Sequence, residues 1–190
     1  MSKIILGFVG EMASGKGTAS DYIVKKYQAG YHRFSTILRD ILNRLHIEQT
    51  RENLQKISQT LRENFSQDIL EVVLFKDINN DEHNIVCVDG IRRMPDIKNL
   101  LDLPNFYLIN ITADEKIRYK RIIKRTTDNL DDQVKTFSEF HQEQQAEAEI
   151  EIRKVSQFAK YKIDNNGQPT YLYSQLDDLI NKLQNNANKN

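Results

Sequence analysis

Short runs of apolar residues recur five times along the chain, and polar or glycine-containing segments separate them. The first run is apolar at almost every position from Ile4 to Val9, as expected for a parallel strand that is covered on both faces. The run Phe106–Ile111 is equally long, and the other three are shorter. The pattern predicts five strands, at Ile4–Val9, Tyr31–Phe34, Ile85–Val88, Phe106–Ile111 and Tyr161–Ile163.

Between these runs, apolar residues recur at intervals of three and four, which places them on one face of a helix. Three such stripes follow one another between residues 35 and 78, so we expect a wholly helical region there. Pro95 suits the first turn of a helix, and the long charged segment after residue 132 also favours a helix. The predicted helices are Thr18–Tyr27, three segments within Ser35–Ile78, Pro95–Leu103, Ala113–Arg125, 133–158 and Leu172–Leu183.

The alternation of strands and helices predicts an α/β fold, a three-layer sandwich with a five-stranded parallel sheet in the middle. The sequence has no internal repeat and no linker rich in Gly, Pro or Ser. We therefore expect a single domain over residues 1–183, followed by a frayed tail over 184–190. In such sheets ligands bind beyond the carboxyl ends of the strands, where Gly10, Asp89 and the segment after Ile163 would lie.

The composition is that of an ordinary globular protein. The 190 residues are 39% hydrophobic and 28% charged, with 27 Lys and Arg against 27 Asp and Glu. The formal net charge is therefore zero, whereas proteins that bind nucleic acid or anionic membranes usually carry a basic excess. We expect small molecules as partners, no nucleic acid and no membrane, and a protein that is a monomer or a homodimer.

The cysteine and histidine residues indicate the cellular compartment and argue against a structural metal site. Cys87 is the single cysteine, so no intrachain disulfide can form and a reducing compartment is expected. The first apolar run is too short for a signal peptide or a membrane span, which favours a cytoplasmic location. The four histidines are scattered without the spacing of metal ligands, so we expect no structural metal site.

A glycine-rich segment joins the first predicted strand to the first predicted helix. Residues 10–16 read GEMASGK, which matches the phosphate-binding pattern G-x-x-x-x-G-K in the strand–loop–helix context that the pattern requires. Glycines let the backbone curl so that N–H groups point at phosphate oxygens, and the helix start adds a positive dipole end. The segment predicts a nucleoside triphosphate site formed by Gly10, Ala13, Ser14, Gly15, Lys16, Gly17 and Thr18.

The residue after the lysine departs from this pattern. A Ser or Thr usually follows the lysine and binds Mg²⁺, but Gly17 stands here and the hydroxyl arrives one position later, at Thr18. We therefore expect Thr18 to bind Mg²⁺ less directly, with more of the metal's shell supplied by water.

The segment Gly15–Thr18, with sequence GKGT, resembles the adenylate kinase branch of the nucleoside monophosphate kinases. After the second predicted strand, Ser35–Arg39 resembles that family's S-T-G-x-x-L-R segment, with Ile37 near the usual glycine. The resemblance implies that Ser35 and Arg39 contact the phosphate of a monophosphate acceptor.

Two further segments resemble the same family. Val88–Arg92 is similar to its D-G-F-P-R motif, which implies that Arg92 holds the acceptor phosphate and that Asp89 lies near the metal. Residues 121–125 resemble the R-x-x-x-R motif at the hinge of the family's lid. This likeness implies that Arg121 lies toward the adenine and Arg125 toward the transferred phosphate.

Over nearly its whole length the chain also resembles small archaeal-type proteins called dephospho-CoA-kinase-like or adenylate-kinase-like. The shared features are G-x-x-A-S-G-K-G, D-G-I-R after the third strand, and N-x-G after the last strand. The resemblance implies a P-loop kinase fold, with residues 35–78 binding the acceptor and residues 113–158 forming a helical lid. It also implies that the loop with Asn165, Asn166 and Gly167 lies at the adenine, with Asn166 binding the nucleotide, although these residues suit an ordinary turn better than contact with a base.

Phosphoryl transfer explains why these residue types would be needed. The protein must position two anionic substrates and neutralise charge at the γ-phosphate, and it needs no covalent nucleophile. Arginine suits this task because its planar fork forms bidentate bonds with phosphate. Asp89 could orient hydrated Mg²⁺. We expect transfer of the γ-phosphate of ATP to a nucleoside monophosphate-like acceptor, with Lys16, Asp89, Arg92 and Arg125 as catalytic residues.

Three alternatives stay open. The acceptor could be dephospho-CoA or a deoxynucleoside monophosphate, although G-K-G-T replaces the G-K-S/T that is usual in dephospho-CoA kinases. A third alternative is a nucleotide-binding regulator or slow NTPase without phosphotransfer, because no arginine lies between Arg125 and Arg153 in the predicted lid. A translational-type GTPase is disfavoured because the chain lacks N-K-x-D.

Overall fold

A computed structural model describes residues 3–124 and 134–187 of the chain. The described residues form one parallel sheet of five strands in the order β2-β3-β1-β4-β5. The predicted α/β fold with a five-stranded parallel sheet is therefore confirmed. The strands are β1 Ile4–Val9, β2 Gly30–Arg33, β3 Ile85–Asp89, β4 Phe106–Thr112 and β5 Tyr161–Asp164.

Eight α-helices lie within the described ranges, and they cover both faces of the sheet. No helix in these ranges is long and apolar enough to cross a membrane. The helices are α1 Lys16–Tyr27, α2 Phe34–Arg44, α3 Arg51–Asn64, α4 Ile69–Asn80, α5 Glu115–Ile122, α6 Phe137–Glu143, α7 Glu147–Ser156 and α8 Pro169–Ala187. The last helix thus extends into the segment predicted as a tail.

The strand β1 lies in the middle of the sheet and is buried at every position. Successive side chains of a strand point to opposite faces, so the residues of β1 divide between two cores. Leu6 and Phe8 pack in the cluster that α1 and α8 cover, and Ile5 and Val9 pack in the cluster that α2 and α4 cover. This burial on both faces fixes the carboxyl end of β1, from which the glycine-rich loop starts.

The helix predicted at Pro95–Leu103 is wrong. The structure has two 3₁₀ turns there, Met94–Asp96 and Leu100–Asp102. Buried carboxylates explain the difference, because they accept hydrogen bonds from backbone N–H groups that a helix would use. Glu71 on α4 accepts from the N–H groups of Asn99 (2.7 Å) and Leu100 (3.1 Å).

The single long helix predicted after residue 132 is also wrong, because α6 and α7 are separate helices. At the end of α6, the N–H groups of Gln145 and Ala146 bond to carbonyls three residues earlier. The carbonyl of Gln144 accepts instead from the guanidinium of Arg153 (2.9 Å). The break therefore turns α7 back against the glycine-rich loop.

Asp81 fastens the edge strand β2 to the end of α4. Its Oδ2 lies 2.8 Å from Nε2 of His32, and its Oδ1 accepts from the backbone N–H of His83 and lies close to Nδ1 of the same residue (both 2.7 Å). Burial alone would raise the pKa of Asp81, but these hydrogen bonds hold it below its usual value. The ionised carboxylate is therefore the form that the fold stabilises.

We expect Asp81→Asn to lower the free energy of unfolding at pH 7 by about 1–3 kcal/mol. Because the folded pKa lies below the unfolded value, the carboxylate's contribution is present above pH about 3.9 and is lost as pH falls through the folded pKa. The difference between the two proteins should therefore shrink at pH 3. Urea unfolding at both pH values measures it, with the exposed Asp77→Asn as control. A difference that persisted at low pH would contradict the assignment.

Candidate active site

The glycine-rich loop curls tightly between β1 and α1. Three of its residues have positive φ angles, namely Gly10 (155°), Ala13 (60°) and Gly15 (106°). A Cβ on Gly10 would overlap the carbonyl oxygen of Ile111, so the loop passes directly over the end of β4. The N–H of Ser14 donates to the carbonyl of Glu11 at 3.1 Å and closes the turn. The loop is thus wrapped around the carboxyl edge of the sheet.

The start of α1 offers hydrogen-bond donors to a ligand. The helix begins at Lys16 with Gly15 as its N-cap, and glycine has no side chain that could cap the helix. The N–H groups of a first helical turn have no carbonyl partner within the helix, and they attract anions. The Ser14 hydroxyl is 1% exposed and has no hydrogen-bond partner within the described ranges. These groups fit an anionic ligand such as a polyphosphate.

Lys16 folds back across the loop. Its Nζ donates to the carbonyl oxygens of Gly10 (2.6 Å) and Glu11 (3.1 Å). The ammonium therefore lies beside the loop, and both Gly17 and Thr18 are exposed at the start of the helix.

Asn165 and Arg121 brace the loop from the side of β5. Asn165 is 6% exposed, and its Nδ2 donates to the carbonyl of Ser14 at 2.8 Å. The guanidinium of Arg121 donates to the carbonyl of Asn165 at 2.7 Å and reaches the carbonyl of Ser14 at 3.4 Å. Burial lowers the pKa of Arg121. Asn166 is exposed, and its Oδ1 accepts from the N–H of Asp114 at 2.7 Å.

Ion pairs and a hydrogen bond tie α5 and α7 to the outer side of the loop. Glu11 forms ion pairs with Arg118 (3.2 Å) and Arg153 (3.1 Å). Glu149 accepts from the backbone N–H of Met12 at 3.2 Å. Arg118 and Glu149 are only 4% and 6% exposed, so both charges depend on these partners. The helices α5 and α7, which belong to the predicted lid segment, are therefore docked on the loop.

Asp89 ends β3 with its carboxylate held in place. Its Oδ2 accepts from the Tyr31 hydroxyl (2.8 Å), its Oδ1 accepts from the N–H of Gly90 (2.7 Å), and Nε of Arg33 lies 3.7 Å away. Burial and the nearby carboxylate raise the pKa of Tyr31. The described residues contain no cluster of three His, Cys, Asp or Glu that could hold a metal by themselves. A lone carboxylate nevertheless fits Mg²⁺ that a nucleotide's phosphates share.

The predicted acceptor residues lie around the ends of β2 and β3. Arg33 of β2 is in register with Asp89 of β3, and Ser35 lies in the first turn of α2, half-buried. Arg39 is exposed and donates to Oε1 of Gln49 at 2.9 Å. Arg92 follows the left-handed Gly90 and is also exposed. Arg125 lies outside the described residues.

A family model described as an AAA domain matches residues 9–138, more than half of the chain. The chain belongs to this AAA domain family. The matched range begins at the end of β1 and includes the glycine-rich loop.

Curated relatives of this AAA-domain chain are similar over most of its length. A UPF0200 protein of Hyperthermus butylicus is 26% identical over 181 residues, covering 95% of each chain. A UPF0200 protein of Methanocaldococcus jannaschii is 25% identical and covers 98% of this chain and 93% of its own. A UPF0200/UPF0201 protein of Archaeoglobus fulgidus is 25% identical over 187 residues, but the chain spans only 57% of that relative's length.

Solved structures share the fold. TT1252 from Thermus thermophilus has a TM-score of 0.64 at 13% identity, covering 96% of this chain and 99% of its own. Shikimate kinase from Bacteroides thetaiotaomicron has a TM-score of 0.58 at 12% identity, covering 94% and 98%. At these identities the likeness shows the fold alone, which this chain shares with TT1252 and with that shikimate kinase.

The structure brings some of the sequence-predicted residues together and adds others. Arg121 lies against the loop, as does Asn165, which the sequence pattern assigned to an ordinary turn. Sequence reasoning missed Glu149 and Arg153, because charged residues on helices usually face solvent. It missed Glu11 because this residue occupies a variable position of the G-x-x-x-x-G-K pattern. For Arg118 a signal was available: it lies three residues before Arg121, so both side chains lie on the same face of α5.

We expect Gly15→Ala to disrupt the loop, because its φ is +106° and the new Cβ would overlap Nδ2 of Asn165. The strain should lower the free energy of unfolding by about 1–3 kcal/mol. Gly17→Ala is the matched control, because nothing lies within 4 Å of its Cβ and its φ is ordinary. It should leave the stability unchanged or raise it by up to about 1 kcal/mol. Urea unfolding followed by circular dichroism compares the two; equal effects would contradict the close packing of Asn165 against Gly15.

Proposed function

We propose that the protein is a phosphotransferase that moves the γ-phosphate of ATP to a nucleoside monophosphate-like acceptor. One observation carries the proposal: the uncapped start of α1 faces a curled glycine loop that contains a buried hydroxyl without a partner among the described residues and an adjacent lysine ammonium. Backbone donors, a hydroxyl and a mobile cation together suit a nucleoside triphosphate. The P-loop kinase fold supports the same conclusion.

On the donor side, the loop would hold the β- and γ-phosphates. Lys16 would exchange the carbonyls of Gly10 and Glu11 for phosphate oxygens, which carry more negative charge than a carbonyl. Mg²⁺ bound with ATP would supply charge neutralisation at the phosphates. Asp89 and Thr18 are the residues that would hold it, largely through water.

On the acceptor side, Arg92 would bind the phosphate of the monophosphate, with Arg39 and Ser35 contributing from α2. Both arginines are exposed in this structure, so they have room to reach a ligand. Guanidinium groups bind phosphate bidentately and fix its orientation. An acceptor oxygen placed in line with the γ-phosphate needs no further activation, because positioning and charge stabilisation account for most of the rate.

The docked lid helices would exclude water from the transfer. Arg118, Arg153 and Glu149 hold α5 and α7 against the outer side of the loop. Water near the γ-phosphate would otherwise compete with the acceptor and hydrolyse ATP. Arg121 braces the loop, and we place Arg125 toward the transferred phosphate.

A nucleotide-binding regulator or slow NTPase is the second candidate, and one observation favours it. Arg118 and Arg153, the two arginines on the outer side of the loop, are both paired with Glu11. Arginines neutralised by a carboxylate contribute less charge to a transition state. If both stay paired when nucleotide binds, transfer would be slow.

A panel of acceptors separates these functions. The full chain is incubated with ATP, Mg²⁺ and one of the common ribo- or deoxyribonucleoside monophosphates, dephospho-CoA or shikimate. Rapid consumption of one acceptor with ADP release supports the kinase. Slow ADP release at the same rate with every acceptor supports the regulator, and no ATP binding in a calorimetric titration would overturn both.

We expect Lys16→Ala to lower kcat by about 10²–10³-fold, because it removes a cation that stabilises charge developing on the γ-phosphate. The fold should be retained, since the side chain is only partly buried and contacts carbonyls of the loop. Lys25→Ala, an exposed lysine on the same helix, is the control. Steady-state kinetics and thermal unfolding are measured for all three proteins. Full activity in the Lys16 variant would remove the loop from the mechanism.

We expect Arg92→Ala to raise the KM of the acceptor and to lower kcat, while the KM of ATP changes little. Arg93→Ala is its control, because the neighbouring side chain is also exposed but is not assigned to the acceptor. Initial rates over a grid of both substrate concentrations give the two KM values. The assignment of Arg92 is refuted if both variants behave like the wild-type protein.

A further inference from the structure

A buried ion pair joins α3 to the turn that carries Arg92. Nη2 of Arg62 lies 2.7 Å from Oδ1 of Asp96, and the two residues are 8% and 3% exposed. Nη1 of Arg62 donates to the carbonyl of Gln67, which holds the guanidinium in place from the other side. A charge pair this deeply buried is costly to form and must be well bonded to persist.

The second oxygen of the same carboxylate holds the backbone before the turn. Oδ2 of Asp96 accepts from the N–H of Arg92 (3.0 Å) and from the N–H of Arg93 (2.9 Å). Ile91, on the other side of Arg92, is 1% exposed in the core. The backbone of Arg92 is therefore fixed on both sides, which sets the direction in which its side chain leaves the turn.

We propose that Asp96 and Arg62 are positioning residues that aim Arg92 at the acceptor phosphate. The inference rests on the proposed role of Arg92 in phosphotransfer. Asp96 fixes the backbone of Arg92, and Arg62 fixes the carboxylate of Asp96. Neither side chain touches the substrate, because both are buried.

The position of Arg62 makes this link more than local. Arg62 belongs to α3, inside the helical region that is proposed to bind the acceptor, whereas Arg92 follows β3 of the sheet. Arg62 on α3 pairs with Asp96 on the 3₁₀ turn, and Asp96 bonds to the backbone of Arg92. The ion pair therefore connects the proposed acceptor-binding helices to the proposed acceptor-binding arginine. A displacement of about 1 Å in a substrate-positioning group can cost about 10²-fold in rate.

Glu71 provides a matched control within the same fold. It is also a buried carboxylate, 1% exposed, that accepts from two successive backbone N–H groups. These groups belong to Asn99 and Leu100, away from Arg92. Loss of either carboxylate should destabilise the protein, but only the loss of Asp96 should change the kinetics with the acceptor.

The experiment compares Asp96→Asn, Arg62→Lys and Glu71→Gln with the wild-type chain. Kinetics use ATP and the monophosphate that the wild-type protein consumes fastest in the panel, and amide hydrogen exchange reports on residues 90–96. We expect Asp96→Asn to raise the acceptor KM about tenfold with the ATP KM unchanged. Arg62→Lys keeps the positive charge but loses the planar guanidinium with its two bonding nitrogens, so its increase in the acceptor KM should be smaller. Faster exchange at Arg92 and Arg93 should accompany both changes.

Each of the other outcomes would overturn one part of the proposal. Equal acceptor KM values in Asp96→Asn and Glu71→Gln, with the wild-type protein active, would reduce the ion pair to a structural role. Unchanged exchange at Arg92 and Arg93 in Asp96→Asn would show that the carboxylate does not hold this backbone. A wild-type protein that consumes no acceptor, despite faster exchange in Asp96→Asn, would refute the proposed function and with it the phosphate role of Arg92.

Discussion

The site depends on the tight loop that joins the end of β1 to the start of α1. Only residues that tolerate positive φ angles can form this loop. Gly10 and Gly15 have positive φ angles, and a Cβ at either one would overlap a neighbouring group. Without this curl, the helix would start away from the sheet edge and its donors would face solvent. Asn165 and Arg121 then bond to carbonyl groups of the loop and hold it in this curled shape.

The proposed donor and acceptor sides of the site differ in how firmly their residues are held. The loop is braced from β5 by Asn165 and from the lid by Glu149, and both are buried. Arg39 and Arg92 are exposed. Under the proposed function, this difference would favour binding of the nucleotide first, with the remaining contacts forming when the acceptor arrives.

Sequence reasoning predicted the sheet and the glycine-rich loop between β1 and α1 because both have strong local signals. Ile4–Val9 is almost continuously apolar, and GEMASGK follows it directly. It failed at Pro95–Leu103, where side chains distant in sequence capture the backbone N–H groups. Glu71 acts there from α4, and no local pattern reveals a partner that far away. The buried charges of the lid escaped prediction for the same reason.

Glu11 links the helices α5 and α7 to the glycine-rich loop, because it lies in the loop and pairs with an arginine from each helix. Glu11 lies in the loop, its carbonyl accepts from Lys16, and its carboxylate binds arginines from two different helices. Under the proposed function, a phosphate at the loop would add negative charge beside this carboxylate. It would repel the carboxylate of Glu11 and attract the same arginines. Arg153 is 38% exposed at its side chain, whereas Arg118 is 5% exposed. Arg153 is therefore freer to exchange a carboxylate for a phosphate, while Arg118 keeps α5 in place.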